Sequence, residues 1–396
     1  MRLTAEEKEM LSGTQGRACR KSMEILVALG EIYGARRLVP VSSVQVSGVS
    51  YKNLGDAGIE FLTEMAEDGR ARVKTTLNPA GMDLTDWRRQ GIAADFAAKQ
   101  LEVIDAYRRL GVEISCTCTP YLAGNEPGLG DHIAWGESSA VVYANSVLGA
   151  RTNREGGPSA LAASLTGRTP LYGYHLDENR VATLVVDVTA APASPEDFAA
   201  MGYAVGRAAG TGIPHFRGVE RRSASLEALK ELSAALASSG GVAMFRMEGV
   251  TPETEGPPGG TAAISFGRRD LTEAIDGLND EGDPDFVSVG CPHCSLEEVR
   301  TIAALLGGRR VTREFWVCCS REVKRRSDEE GCSRAIEESG AKFACDTCMV
   351  VAPIETMGFR VVATNSAKAC HYLRNAGLRV RFMRLEQCVM EATRPG

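Results

Sequence analysis

Six cysteines of the chain fall into three close pairs, Cys116-x-Cys118, Cys291-x2-Cys294 and Cys345-x2-Cys348, and each pair closes a short, largely apolar run of β-strand character. The runs are VEISCTC, PDFVSVG leading into Cys291, and AKFAC, and helical patterns separate them. A fold that uses three such strand ends together is an α/β sheet, in which the following helices aim their amino termini at the crevice outside the carboxyl ends of the strands.

The rest of the chain alternates in the same way. Thr4 and Glu7 form a candidate capping box, and Met23, Ile25, Leu26, Leu29 and Ile32 follow at helical spacing. LVPVSSVQV (38–46) reads as a strand stopped by Ser47-Gly48, AGIEFLTEMAEDG as a helix, and ARVKTTL as a strand stopped by Asn78-Pro79. DFAAKQLEVIDAYRRLG is helical, VEISCTC is a third strand, and a Gly-rich loop leads to a helix starting at Glu137. RVATLVVDV and VAMFRM are further strands, and TPETEGPPGGTAA reads as a loop or lobe boundary. REFWVCC and FRVVAT are strands, the latter running into Asn365-Ser366, and Ser295 with Glu298 caps a helix. The class is α/β with largely parallel sheet.

Ser47-Gly48-Val49-Ser50, Asn78-Pro79, Cys118-Thr119-Pro120, Cys291-Pro292-His293, Cys345 to Cys348 and Asn365-Ser366 therefore gather at strand ends. Gly, Pro, Asn and Ser also simply punctuate turns. The spaced cysteines are harder to read that way. Two CxxC pairs suit a structural four-thiolate zinc site in a binding protein without chemistry, although about fifty residues separate them. A CxxC beside a βα unit also suits a redox dithiol. The third reading is an iron–sulfur cluster held by one thiolate from each of three loops, leaving one iron open to a substrate hydroxyl. Cys19, Cys332, Cys370, Cys388 and the adjacent Cys318 and Cys319 read as core thiols.

Three further groups bear on chemistry. Asp131, His132, Glu137 and Ser138 lie close together in GNEPGLGDHIAWGESS, with Glu137 at a helix start, where it is equally an ordinary cap. Arg151 and Arg154 flank a Gly-rich stretch suited to a carboxylate or phosphate, or to solvent. Lys368 follows a Ser366 cap, where its charge opposes the helix dipole unless an anion lies nearby.

Lys plus Arg (45) against Asp plus Glu (51) gives a formal charge of −6, so no global basic field serves nucleic acid or an anionic membrane. No apolar stretch approaches a bilayer span, and MRLTAEEKEM lacks the apolar core of a secretory signal. A soluble, cytoplasmic protein with reduced thiols is expected.

The segments CTCTPYLAGNEPGLGDHIAWGESSAVVYANSVLGARTNREGGPSAL, VSVGCPHCSLEE, CDTCMVVAP and TNSAKACHY resemble the catalytic large-subunit region of the aconitase X enzymes. The likeness spans nearly the whole chain, from SSVQVSGVSYKNLGDAG to the carboxyl terminus. It implies an aconitase-like α/β fold of several βα lobes with largely parallel sheets around a central cleft, with approximate lobes 1–165, 166–280 and 281–396. It also implies a small swivelling domain, absent from this chain and supplied by a separate small subunit in a heterodimer. The activity implied is that of a hydro-lyase acting on a small anionic hydroxy acid. The wording VSGVSYKNLGDAG, LNPAGMDL and VGCPHCS favours (R)-5-phosphomevalonate, dehydrated to trans-anhydromevalonate 5-phosphate in an archaeal-type mevalonate pathway, over the family's other substrate, cis-3-hydroxy-L-proline. By the same likeness the ligands of a [4Fe-4S] cluster with one open iron are Cys118, Cys291 and Cys348. Gly48, Val49, Ser50, Asn78, Pro79, Glu137, Ser138 and Lys368 surround the substrate, with Glu137, Ser138 and Lys368 catalytic. Strand-end position alone does not choose within each cysteine pair, and it leaves the general base open, a serine on the small subunit being one source.

Overall fold

The computed structural model describes residues 1–253 and 255–395. Three parallel sheets organise them. In the first, Ser43–Val46 lies between Lys74–Leu77 and Ala134–Trp135. The second runs in the order Arg246–Met247, Pro214–Arg217, Leu184–Val188, Ala262–Phe266. The third runs in the order Lys342–Cys345, Glu314–Cys319, Phe286–Cys294, Val361–Thr364, Arg379–Phe382. A short antiparallel pair, Leu38–Pro40 with Arg168–Pro170, closes the first unit, so the chain just beyond residue 166 still packs on it.

The capping signals are present where the sequence places them. Thr4 and Glu7 exchange hydrogen bonds at Ala5–Ser12, and Ser295 and Glu298 do so at Leu296–Leu306. Four readings change. VEISCTC forms only an isolated bridge, Thr76 to Glu113, because the chain kinks between its two bonds to the neighbouring strand, Glu113 N to Thr75 O and Thr117 N to Leu77 O: Ser115 N turns back to Glu113 O and Cys116 takes φ +40°. VAMFRM shortens to Arg246–Met247. The stretch 251–263, of which Thr254 lies outside the described residues, connects two strands of the second sheet rather than two units. The strand read as ending before Cys291 continues through Cys294, with its pairing to Glu314–Cys319 shifted between Val289 and Cys294.

The three units share a buried seam. Helix Leu226–Ser239 packs along Pro195–Ala209, where Gly202 lets the backbones close: a Cβ there would stand 2.9 Å from Leu232 O and from Ala235 Cβ. The same helix also contacts Ser138–Tyr143 of the first unit, and Phe286–Cys294 and Ala367–Asn375 of the third. Burying apolar surface on several sides, it is the rod around which the strand ends are assembled. Among the described residues no helix is long and apolar enough to cross a membrane.

Candidate active site

The shifted pairing after Val289 decides where the paired thiols go. Cys294 and Cys345 enter one core with Cys319, whereas Cys291 and Cys348 enter the core on the other side. The four thiols of the two CxxC pairs therefore do not meet. Among the described residues, no group of three His, Cys, Asp or Glu side chains converges tightly enough to hold a single metal ion.

Cys118, Cys291 and Cys348 nonetheless share one buried environment. Cys291 is raised well above an ordinary thiol, first by its hydrogen bond with Cys348 and then by burial. Cys348 is lowered, first by that bond, against burial, and further by the Val350 and Val351 amides and by Lys368. Cys118 is raised by burial and by Glu137, while Lys368 and the His293 amide act the other way. The His293 N–H donates to Cys118 Sγ at 3.2 Å.

Lys368 brings the charge. Ser366 caps Ala367–Asn375, accepting from Ala369 N at 3.0 Å, and its hydroxyl donates to Cys291 O, which fixes this helix end on the cysteine loop. Lys368 Nζ donates to Glu137 Oε1 and, at 2.6 Å, to Ser139 Oγ. Glu137 caps Ser138–Tyr143 through Ala140 N at 2.7 Å, and Ser139 Oγ donates to Glu137 Oε1 at 3.1 Å. Burial acts against the ammonium, but Glu137, Cys291 and Cys118 outweigh it and hold Lys368 protonated beyond its ordinary range. The charge that opposes its helix dipole is thus answered by a carboxylate from another helix end.

The first unit supplies the other wall. Ser50 is buried at the start of Tyr51–Met65, and its hydroxyl donates to Val351 O at 3.1 Å, three residues past Cys348. Val49 O accepts from Gln100 Nε2 at 3.0 Å, and Gly48 turns at φ +74°. Gly81 is required beside this loop: a Cβ would stand 2.5 Å from Ser50 Oγ. Asn78 N–H donates to Val46 O, Pro79 is buried, and Ala80 N–H reaches Asp346 O at 2.7 Å. Among the described residues, Asn78 Oδ1, Asn365 Oδ1 and Thr347 Oγ1 are buried without a hydrogen-bond partner. Buried orphans of this kind at three strand ends mark polar positions that a bound group would satisfy.

Ser138 is half-buried one residue before Ser139 and stands outside the Lys368 network. Asp131, His132, Arg151 and Arg154 are turned elsewhere. Asp131 holds Gly128 N, His132 pairs with His175 at 2.9 Å, Arg151 binds His175 O and Asp177, and Arg154 reaches Ala237 O at 3.2 Å. Several residues at the site are given no role by the sequence, although Cys291-Pro292-His293 marks a strand end. Ser139 is one. Another is His293, fully buried, whose imidazole is pushed down to about 4, chiefly by burial. A third is the Asp83–Arg321–Asp346 cluster: Arg321 Nε donates to Asp346 Oδ2 at 2.8 Å and Arg321 also pairs with Asp83, which accepts from Cys345 N at 2.9 Å. Its trace in the sequence is opposite charge, Arg321 against the aspartates of the loops at 83 and 346.

Family models for the first, second and third domains of aconitase X match residues 1–178, 182–276 and 284–394. The phosphomevalonate dehydratase large subunit of Methanothermobacter thermautotrophicus is 50% identical over 375 residues, covering 94% of this chain and 93% of that protein. That of Methanocaldococcus jannaschii is 49% identical over 383 residues, covering 94% and 95%. The cis-3-hydroxy-L-proline dehydratase of Pseudomonas aeruginosa is 36% identical over 406 residues, covering 99% of this chain and 70% of that protein. The crystal structure of Thermococcus kodakaraensis aconitase X in its holo-form superposes with a TM-score of 0.92 at 46% identity, covering 99% of this chain and all of the other.

Proposed function

Because the chain belongs to the aconitase X family, we propose that it is the large subunit of a hydro-lyase that dehydrates (R)-5-phosphomevalonate to trans-anhydromevalonate 5-phosphate in a mevalonate pathway. It works in the cytoplasm with a separate small subunit as a heterodimer. Its twelve cysteines, all free, suit a reducing compartment. The observation that carries the reading is the buried set Cys118, Cys291 and Cys348 beside the Lys368–Glu137 pair. Three thiols from three separate segments, without the tight convergence of a single-ion site, fit an iron–sulfur cluster of the [4Fe-4S] type with one iron free of cysteine. When bound by these thiols, such a cluster supplies a Lewis acid for the departing hydroxyl.

The reaction removes a proton from one carbon and hydroxide from its neighbour, forming a double bond and water with no net change of oxidation state. Lys368 has two N–H groups committed to Glu137 and Ser139, and the third is available to an anionic oxygen of the substrate. Glu137 keeps that ammonium oriented and charged. Ser138, at the same helix start, offers a hydroxyl not engaged by Lys368. Gly48, Val49 and Ser50 provide backbone at the neighbouring strand end, and Asn78 provides an amide, for the carboxylate and phosphate. Pro79 stiffens the turn that carries Asn78.

The substrate is tested by pairing the anaerobically purified chain with its small subunit and assaying (R)-5-phosphomevalonate and cis-3-hydroxy-L-proline side by side. Turnover of the phosphorylated acid, with little or none of the imino acid, is expected. Turnover of hydroxyproline alone would overturn the assignment.

A further inference from the structure

His293 lies two residues beyond Cys291 and is fully buried. Four hydrogen bonds leave it in four directions. Its N–H donates to Cys118 Sγ at 3.2 Å, Nδ1 meets Thr117 Oγ1 at 3.0 Å, Nε2 meets Thr347 O at 2.9 Å, and its carbonyl accepts from Lys230 Nζ at 3.2 Å. A carbonyl only accepts, so Nε2 carries the hydrogen. In the neutral ring Nδ1 is then the acceptor and the Thr117 hydroxyl the donor. Thr117 Oγ1 in turn accepts from Thr119 N at 3.2 Å and lies 3.1 Å from Thr119 Oγ1. Both ring nitrogens are satisfied, and the direction of each bond is fixed.

We propose that His293 is the positioning residue that sets the three thiol-bearing segments in register. The proposal rests on the reading of Cys118, Cys291 and Cys348 as ligands of one cluster. The ring bonds land one residue from Cys118 and one residue from Cys348, while the main chain ties the same residue to Cys291. A rigid planar ring thereby spaces the loop from the first unit against a strand end and a loop of the third. Lys230, on the central helix, anchors the His293 carbonyl, and Glu298 pairs its ammonium within the interior. Among the described residues, no other side chain at the site bonds next to two of the thiols while lying on the segment of the third. Groups that orient metal ligands from behind are worth about 10- to 100-fold in metal affinity or activity when lost.

The test compares wild type, His293→Phe, His293→Gln and Thr117→Val, each paired with the small subunit and prepared without oxygen. Iron and acid-labile sulfide per chain and the visible spectrum are measured on the loaded protein. Iodoacetamide labelling of Cys118, Cys291 and Cys348 is then followed on iron-free protein. His293→Phe keeps a planar ring and loses both ring bonds, so retained iron falls about 10- to 100-fold and labelling of Cys118 and Cys348 speeds up by about tenfold or more. His293→Gln, which restores a donor toward Thr347 O, recovers most of both, as a merely space-filling role would not require. A folded His293→Phe with wild-type iron, spectrum and labelling overturns the proposal. If His293→Phe does not fold, unchanged iron and labelling in Thr117→Val overturns it, and a partial loss supports it. A wild-type protein that binds no iron overturns the cluster reading instead, and the labelling rates then decide the register role separately.

Discussion

Glu137 and Lys368 are 231 residues apart in sequence and form one buried ion pair, each standing at the start of its own helix. Removing one partner strands a charge in the interior, so Lys368→Met or Glu137→Gln alone should lower stability by about 3–5 kcal/mol. The double variant leaves no unpaired charge and should recover most of that loss in urea unfolding. Its turnover should stay about 100- to 10,000-fold below wild type, the scale of lost acid–base and electrostatic groups. A double variant with restored turnover would assign the pair a structural role only.

Arg321 bridges the units rather than the reaction. Arg321→Met leaves Asp83 and Asp346 buried without their cation, and a loss of about 3 kcal/mol follows on unfolding. Arg321→Lys should recover only part, because an ammonium cannot serve both carboxylates with the planar geometry of a guanidinium. Equal stability of the lysine variant and wild type would contradict this.

His175 gives the protein an acid-sensitive margin. Burial first, then the nearby His132, Arg180 and Arg151, depress its imidazole from 6.5 to about 3. The unfolded chain takes up a proton below about pH 6.5 that the native state refuses, so stability is full above that pH and is lost as pH falls toward 3. Between pH 6.5 and 5 this amounts to about 2 kcal/mol, at 1.36 kcal/mol per unit. His175→Gln should flatten the fall of Tm between pH 7 and 5. Parallel curves for variant and wild type would contradict the assignment.

Local signals were legible because they are short-range. The Thr4–Glu7 and Ser295–Glu298 capping boxes, the Glu137 helix start and the Ser366 cap all follow from side chains reaching a few residues along the chain. What was not legible depends on distant backbone. VEISCTC carries a strand-like pattern, but the left-handed turn at Cys116 is set by packing and not by its residue type. Which thiols of the CxxC pairs share a core is set by the register shift after Val289, and equal spacing cannot report it. Ser139 rather than Ser138 meets Lys368 because one residue along a helix turns the side chain by about 100°. Arg151, placed in sequence like an anion cradle, is drawn to His175 and Asp177 by the bridge that pairs its backbone with His132.

The most direct measurement is iron and acid-labile sulfide per chain, taken without oxygen on six single cysteine-to-serine variants. Cys118→Ser, Cys291→Ser and Cys348→Ser should lose iron, sulfide and turnover together. Cys116→Ser, Cys294→Ser and Cys345→Ser, whose thiols lie in separate cores, should keep them. Full iron and turnover in any of the first three, or zinc in place of iron in the wild-type chain, would contradict a cluster held by these thiols.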